Sequence, residues 1–412
     1  MATPAVETIR NGRDWAWLPE LILDSVLQNL VSLQDYLQFS SVCKPWHAAA
    51  ESQKRRRIAT SPQNQAPLLM VPTKDRSHLR RGLYSATARN RLLETTLPVP
   101  WHRRCCGSSH GWLAFLEEED RVTLYNPFTQ ARISLPTISG TSHLRDEADD
   151  HFHLYTNFAK KIVLSADPST HGHDYVVAAL INYPVYRTLA VIRPGRDDKR
   201  WTLFSTWTNY TGPEELSTDL IFHQGWIYAT AYRGMLARAN VEGVGTRGYV
   251  PVLEMVVPQW SEIYEISKPS YLVESSSGDE LLMVVRCLEE RDHEFSFVTA
   301  DVKVFKLVRA AGASCCHYYV EVEDLNGDAV FIGDSYSVAV PAAEFQGCEA
   351  DTVYFSDDYV EVKPHYFHLG PHDIGKFNVK ERKFGTHFYV ADPAQNRGMP
   401  PPIWVFPTLM KQ

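Results

Sequence analysis

Gly111-Trp112-Leu113-Ala114 recurs as Gly225-Trp226-Ile227-Tyr228-Ala229, a faint internal echo in a chain of 412 residues. An echo of this kind marks a repeated structural unit. The chain around it agrees. Short β-type runs stand at Val122-Tyr125, Val176-Ile181, Leu189-Ile192, Leu281-Cys287, Val302-Leu307, Ala329-Ile332 and Val353-Ser356. Turn residues separate them: Asn126-Pro127, Pro194-Gly195, Ser277-Gly278 and Asn326-Gly327. The runs at Leu281 and Ala329 continue the series at intervals of roughly fifty residues, near the kelch repeat length. Aromatic residues make up 12% of the chain, which suits a sheet-rich core. A propeller, which repeats a four-stranded sheet and closes it into a ring, satisfies this pattern. A pair of β-sandwiches satisfies it as well, and the echoes do not count blades.

The first ~58 residues read differently, with helical periodicity. Pro19 can open a helix, because its missing N–H would be unpaired in the first turn anyway. Glu20 and Asp24 suit the positive end of the helix dipole. On a helical wheel Ile22, Leu23, Val26, Leu27 and Leu30 fall within about 140°, with Leu21 well outside that stripe. Ser32 and Asp35 form a capping box for a second helix carrying Leu33, Tyr36, Leu37 and Phe39. Pro45 opens a third, with Trp46 and Ala48-Ala49-Ala50, ending in Lys54-Arg55-Arg56-Arg57. That basic run reads as a solvated helix end; the alternative is a nuclear localisation signal. Three short helices cannot bury this much apolar surface among themselves. The surplus faces either a partner or the rest of the chain.

Pro62, Pro67 and Pro72 punctuate a linker. The organisation expected is therefore an α+β multidomain chain. It comprises a flexible tail over 1–14, a small three-helix module over 15–60, a linker over 61–72 and a large all-β domain over 73–412.

Composition narrows the functional class. The formal net charge is −8, a poor match to the basic surface that nucleic acid requires. No stretch approaches the ~18 apolar residues of a membrane span. Residues 1–14 lack the apolar region of a secretory signal, so the expected location is the cytoplasm, the nucleus or both. Seven cysteines, two pairs of them adjacent (Cys105-Cys106 and Cys315-Cys316), with no C-x-x-C, point to reduced, mostly buried thiols.

Catalytic and metal signatures are weak. No G-x-S-x-G, H-E-x-x-H or P-loop pattern occurs. Asp357-Asp358 is a carboxylate pair, but neighbours on a strand point to opposite faces. The pair reads as a polar turn. His151 and His153 sit two apart, as do His171 and His173, with no cysteine or clear carboxylate set to complete a tetrahedral site. Glu117-Glu118-Glu119-Asp120 reads as a charged hairpin turn. Trp112, Trp226 and Trp404 read as core. Trp46 reads as core, as a shaper of the outer surface, or as both.

The head resembles the F-box motif. The matching residues are Leu18-Pro19-Glu20-Leu21-Ile22-Leu23, Val26 and Leu30, then Leu33, Asp35 and Leu37, then Ser41-Val42-Cys43-Lys44-Pro45-Trp46. Pro45 replaces the family's usual basic residue, and Val31-Ser32 follows Leu30 where Pro-x is common. The body is similar to the kelch-related domain found beside F-boxes in a large plant group. That similarity rests on three stretches. The first is His110-Gly111-Trp112-Leu113 with Leu124-Tyr125-Asn126-Pro127-Phe128-Thr129 and Ile133-Ser134-Leu135-Pro136. The second runs from Asp328-Ala329-Val330-Phe331-Ile332-Gly333-Asp334 through Phe345-Gln346-Gly347-Cys348 to Val353-Tyr354-Phe355-Ser356-Asp357-Asp358. The third is Pro400-Pro401-Pro402-Ile403-Trp404-Val405-Phe406-Pro407.

The resemblance implies a substrate-receptor subunit of an SCF-type cullin ubiquitin ligase. The head would dock on the ligase adaptor, and through it a cullin, by Leu18, Pro19, Leu21, Ile22, Val26, Leu30, Leu37, Val42, Cys43 and Trp46. The β domain would hold a target protein that the sequence does not name. No catalysis and no cofactor is expected of the chain itself. The alternatives are a scaffold outside ubiquitin ligation and an enzyme with a site in the propeller funnel.

Overall fold

The computed structural model describes residues 15, 18–30, 38–40, 42–50, 52, 66–72, 81–87, 91–97, 99, 105–117, 121–127, 130–138, 159–183, 186–195, 200–204, 206–208, 216–231, 234–258, 269–291, 296–310, 317–357, 373–385 and 401–406. Two compact units divide the chain: Met1–Gln65 with Leu409–Gln412, and Ala66–Thr408.

In the smaller unit, α1 spans Glu20–Asn29. Pro19 is its N-cap, one position earlier than the N1 role expected of it. The Pro19 carbonyl accepts the N–H groups of Ile22 (2.9 Å) and Leu23 (3.2 Å). Residues 38–40 and 44–50 are also helical. Leu23 and Leu27, one turn apart, bury against Phe39, Ala49 and Ala50, with Leu18, Leu30 and Trp46 packed around them. The Ser32–Asp35 capping box, Leu37 and the basic run Lys54–Arg57 lie outside the described residues.

The larger unit is a six-bladed β-propeller. The first blade joins β1 (Leu68–Pro72), β2 (Arg81–Ser85) and β3 (Arg91–Leu97) to β26 (Ile403–Val405). The second holds β4 (Cys105–Ser109), β5 (Trp112–Leu116), β6 (Arg121–Tyr125) and β7 (Arg132–Thr137). The third holds β8 (Ala159–Leu164), β9 (Val177–Tyr183), β10 (Tyr186–Ile192) and β11 (Thr202–Phe204). In the fourth, β12 (Thr206–Thr208) precedes β13 (Leu216–His223), β14 (Trp226–Ala231), β15 (Leu236–Asn240) and β16 (Val252–Val257). The fifth holds β17 (Ser270–Glu274), β18 (Leu281–Arg291), β19 (Ser296–Arg309) and β20 (His317–Val322). The sixth holds β21 (Asp328–Ile332), β22 (Val338–Pro341), β23 (Thr352–Phe355), β24 (Gly375–Asn378) and β25 (Lys383–Phe384).

The innermost strands form the ring: β26 neighbours β4, β4 neighbours β8, β8 neighbours β13, β13 neighbours β17 and β17 neighbours β22. Between blades lie apolar cores. Val122 and Leu124 of the second blade meet Ile162, Val177 and Ala179 of the third. Leu272 and Met283 of the fifth meet Tyr228 and Leu236 of the fourth. The ring of sheets replaces the sandwich-pair alternative.

The Gly-Trp echo has a physical cause. His223 and Trp226 are ladder partners, as are Ser109 and Trp112, so each turn has only two residues between its strands. Both turn residues have positive φ: 52° and 74° at His110 and Gly111, 48° and 80° at Gln224 and Gly225. That is the hairpin turn whose twist matches its strands, and glycine adopts it without steric cost.

Every β run read from the sequence overlaps a strand of the larger unit. Two readings are corrected. Leu68–Pro72, assigned to the linker, is β1, with Leu68, Leu69, Met70 and Val71 buried. Its prolines suggested a linker, but β1 pairs with both β2 and β26 and packs on the sixth blade. Asp357, assigned to a polar turn, is buried and accepts the N–H of Asp373 at 3.4 Å. Asp358 lies outside the described residues.

Candidate functional site

The head separates its apolar residues into two sets. Leu23 and Leu27 are buried, and Leu18, Leu30 and Trp46 pack around them. By contrast, Leu21 is 82% exposed, Val42 57%, Ile22 47% and Val26 36%. The single stripe read from the wheel is therefore split. Leu23, Leu27 and Leu30 face inward, while Ile22 and Val26, one turn apart, face out with Leu21. Of the ten residues assigned to the adaptor, Leu21, Ile22, Val26 and Val42 form the exposed apolar set. Pro19 is exposed and Cys43 half-buried.

Trp46 is half-buried and packs on the core of the head. Its ring lies 4.5 Å from that of Phe39, and its indole N–H donates to the Trp15 carbonyl at 2.8 Å. The Trp15 side chain itself is 63% exposed. Sequence reading did not single out Trp15.

Residues 333–337 connect β21 to β22, the innermost strand of the sixth blade, and reach other blades. Tyr336 packs on the core between the third and fourth blades and on that between the fourth and fifth. Its ring is 6.5 Å from His110, at the end of β4. Burial pushes the Tyr336 phenol well above its ordinary range, and the nearby charges of Glu274 on β17 and Asp219 on β13 add to that. From the same loop, Asp334 approaches Lys160 of β8 at 4.0 Å, and Ser335 donates to the Trp404 carbonyl at 3.4 Å. One loop thus touches inner strands all round the ring.

Two buried ionic networks lie within the propeller. Lys161 of β8 bonds Asp219, which also accepts the N–H groups of Leu272 (2.7 Å) and Leu220 (2.8 Å). Burial raises the Asp219 carboxyl pKa, against the pull of Lys161 and those two N–H groups. Arg286 bonds Asp373, the Tyr271 hydroxyl (3.0 Å) and the Ser356 carbonyl (3.1 Å). These networks tie neighbouring strands and blades together.

The metal candidates separate. His171 ends a one-turn helix over Pro168–His171, and its Nδ1 lies 2.8 Å from the Thr170 hydroxyl, so the His171/His173 pair is not on a strand face. His151 and His153 are outside the described residues. Among the described residues no group of three or more His, Cys, Asp or Glu side chains could hold a metal ion. Trp112 and Trp404 are buried, whereas Trp226 is half-buried beneath the Arg238 guanidinium, 4.3 Å from its ring. Cys105 and Cys106 are buried; Cys43, Cys287 and Cys348 are half-buried, and none of the five is in a disulfide.

These features define a six-bladed propeller protein. The family model for the KIB1-4 beta-propeller matches residues 83–378, and the chain belongs to that family. Its relatives are plant F-box proteins. The putative F-box protein At4g22660 of Arabidopsis thaliana is 24% identical over 86% of this chain and 89% of its own length. The F-box protein SKIP23 of Arabidopsis thaliana is 24% identical over 95% of each. Among solved structures, the Cps50 (Swd1) β-propeller domain of Myceliophteria thermophila aligns with 84% of this chain and 100% of its own, at 11% identity and a TM-score of 0.40.

Proposed function

We propose that this chain is the substrate-receptor subunit of an SCF-type cullin ubiquitin ligase. A three-helix F-box over 15–60 binds the adaptor, and through it a cullin, while a kelch-type propeller presents a target protein. The carrying observation is the head's exposed apolar set: Leu21, Ile22, Val26 and Val42 stay in solvent while Leu23 and Leu27 fill the core. An amphipathic helix with a second apolar face is suited to lie in a partner's groove. The names of the plant relatives support the same reading.

Leu21, Ile22, Val26 and Val42 are the contact residues on this reading. Leu18, Leu30 and Trp46 hold them in place, and Pro19, Leu37 and Cys43 complete the F-box set. The chain is non-catalytic and acts in the cytoplasm or nucleus, where the ligase machinery lies. Its contribution is effective concentration, which makes ubiquitin transfer to a tethered target nearly intramolecular.

The test is a pull-down of the full chain with purified adaptor. Ile22→Asp with Val42→Asp is expected to abolish capture while thermal unfolding of the propeller is unchanged. Capture that survives both substitutions rejects the reading.

A further inference from the structure

Propeller blades leave their outermost strands at the surface, where unpaired backbone groups invite a further strand. Most outer edges here are blunted. β7 contains Pro136. β11, β12 and β25 have only three, three and two residues. The fold also covers two edges itself: β12 lies parallel on β16, and β25 lies on β24.

β20 differs. It has six residues and no proline, exposes Tyr318 (49%) and Val320 (42%), and carries one carboxylate, Glu321, which pairs with Lys303 at 3.9 Å. No strand among the described residues pairs with its outer side.

A cleft flanks each face of this sheet. One, of about 430 Å³, lies between the fourth and fifth blades and is lined by Trp226, Arg238, Leu281, Leu307, Arg309 and His317, with Asp279 as its acid. Arg309 and His317 are ladder partners, as are Leu307 and Tyr319, so this cleft lies on the odd-numbered face of β20. Arg238 is held by Glu254 at 2.7 Å. The other cleft, of about 410 Å³, takes Leu282, Lys306 and Val322 from the even-numbered face and adds Glu323, Asp324 and Asp328. Lys306 pairs with Glu280, Asp328 accepts from Ser276, and Glu323 and Asp324 stand exposed on the rim. The two clefts have opposite charge character and lie on opposite faces of the sheet, the two faces to which alternate side chains of a strand point.

We propose that β20 is a docking edge that takes an extended peptide segment of a target protein as an added strand. An acidic residue enters the Arg309–His317 cleft, and a basic residue on the opposite face meets Glu323 and Asp324. Backbone pairing supplies affinity and the alternating pockets supply specificity. The inference rests on the receptor reading only in calling the peptide's owner a target.

The probe is the labelled peptide Thr-Glu-Thr-Val-Lys-Val, titrated against the full-length protein by fluorescence anisotropy. Saturable binding is expected. Tyr318→Lys with Val320→Lys weakens it about tenfold, since lysine on an edge opposes strand addition. Arg309→Glu weakens it several-fold, and exchanging the peptide's Glu for Lys restores it. Thermal unfolding of each variant shows that the fold is kept. No saturable binding to the unmodified protein, or equal affinity in the edge variant, overturns the proposal. Self-association that the edge variant abolishes also overturns it, by assigning the edge to a second copy. Adaptor capture by the same variants reads the head separately, so the two proposals fail independently.

Discussion

Trp404 is the ladder partner of Leu69, a residue from the opposite end of the propeller, and this pairing closes the ring. Trp404 is 1% exposed, stands edge-on to Phe331 at 5.0 Å and donates its indole N–H to the Ile332 carbonyl at 2.9 Å.

Trp404→Ala is expected to cost about 3–5 kcal/mol, the usual range for deleting a buried aromatic. The Ile332 carbonyl still accepts the Ser356 N–H at 3.0 Å, so the loss is one of packing more than of hydrogen bonding. Urea unfolding followed by tryptophan-independent circular dichroism measures it. A midpoint shift equivalent to less than 1 kcal/mol, roughly the level of a surface change, would mean that closure does not hold the ring.

Gly107→Ala is expected to destabilise the propeller by about 1–3 kcal/mol, the range for overpacking. A Cβ at Gly107 would stand 1.9 Å from the Ile162 carbonyl oxygen, where β4 and β8 approach each other. The obstacle is backbone, which cannot rotate away. A thermal scan of the variant checks this.

Asp219→Ala leaves Lys161 buried without its carboxylate and is expected to cost about 3–5 kcal/mol. The double variant Lys161→Met with Asp219→Leu removes both charges and should recover most of that loss. Two variants equally unstable would place the energy in the two N–H groups that Asp219 caps, not in the ion pair.

Adjacent residues of α1 should behave oppositely. Leu23→Ala removes core and is expected to destabilise the head by about 2–5 kcal/mol. Ile22→Ala is expected to leave stability within about 0.5 kcal/mol, as surface changes do, and to weaken adaptor capture. Hydrogen exchange of the head, read beside the pull-down, separates the two effects.

Burial, aided by the Glu349 charge, pushes the Cys348 thiol up to about 12. Its folded pKa therefore lies above its unfolded value. The resulting stability is fully present below the unfolded pKa and is lost as pH rises toward 12. Iodoacetamide should label Cys348 more slowly at mildly alkaline pH in the folded chain than in urea. Equal rates would contradict the shift.

The strands were legible because burial leaves a local record. Ala329-Val330-Phe331-Ile332 is an apolar run with a turn before it, and it forms a strand wherever it packs. The echo at Gly111 and Gly225 was legible because a two-residue hairpin demands positive φ, and few residues tolerate that. Leu68–Pro72 was misread because its burial depends on Ile403–Val405, hundreds of positions away. The helical wheel placed Ile22 and Val26 with Leu23 and Leu27, since periodicity shows that a face is apolar but not what covers it.

The sequence by itself determined that a helical head precedes a sheet-rich body, and which residues carry apolar, turn-forming or charged character. Those properties belong to single residues and their near neighbours. The six blades, the one sheet shared by the two ends of the body, and the packing of Tyr336 on two inter-blade cores emerge only in three dimensions. The tertiary structure alone showed that Leu21, Ile22, Val26 and Val42, unlike Leu23 and Leu27, are exposed. Each of these depends on contacts between residues far apart in the chain, and such contacts are set by packing the whole domain, not by any local preference.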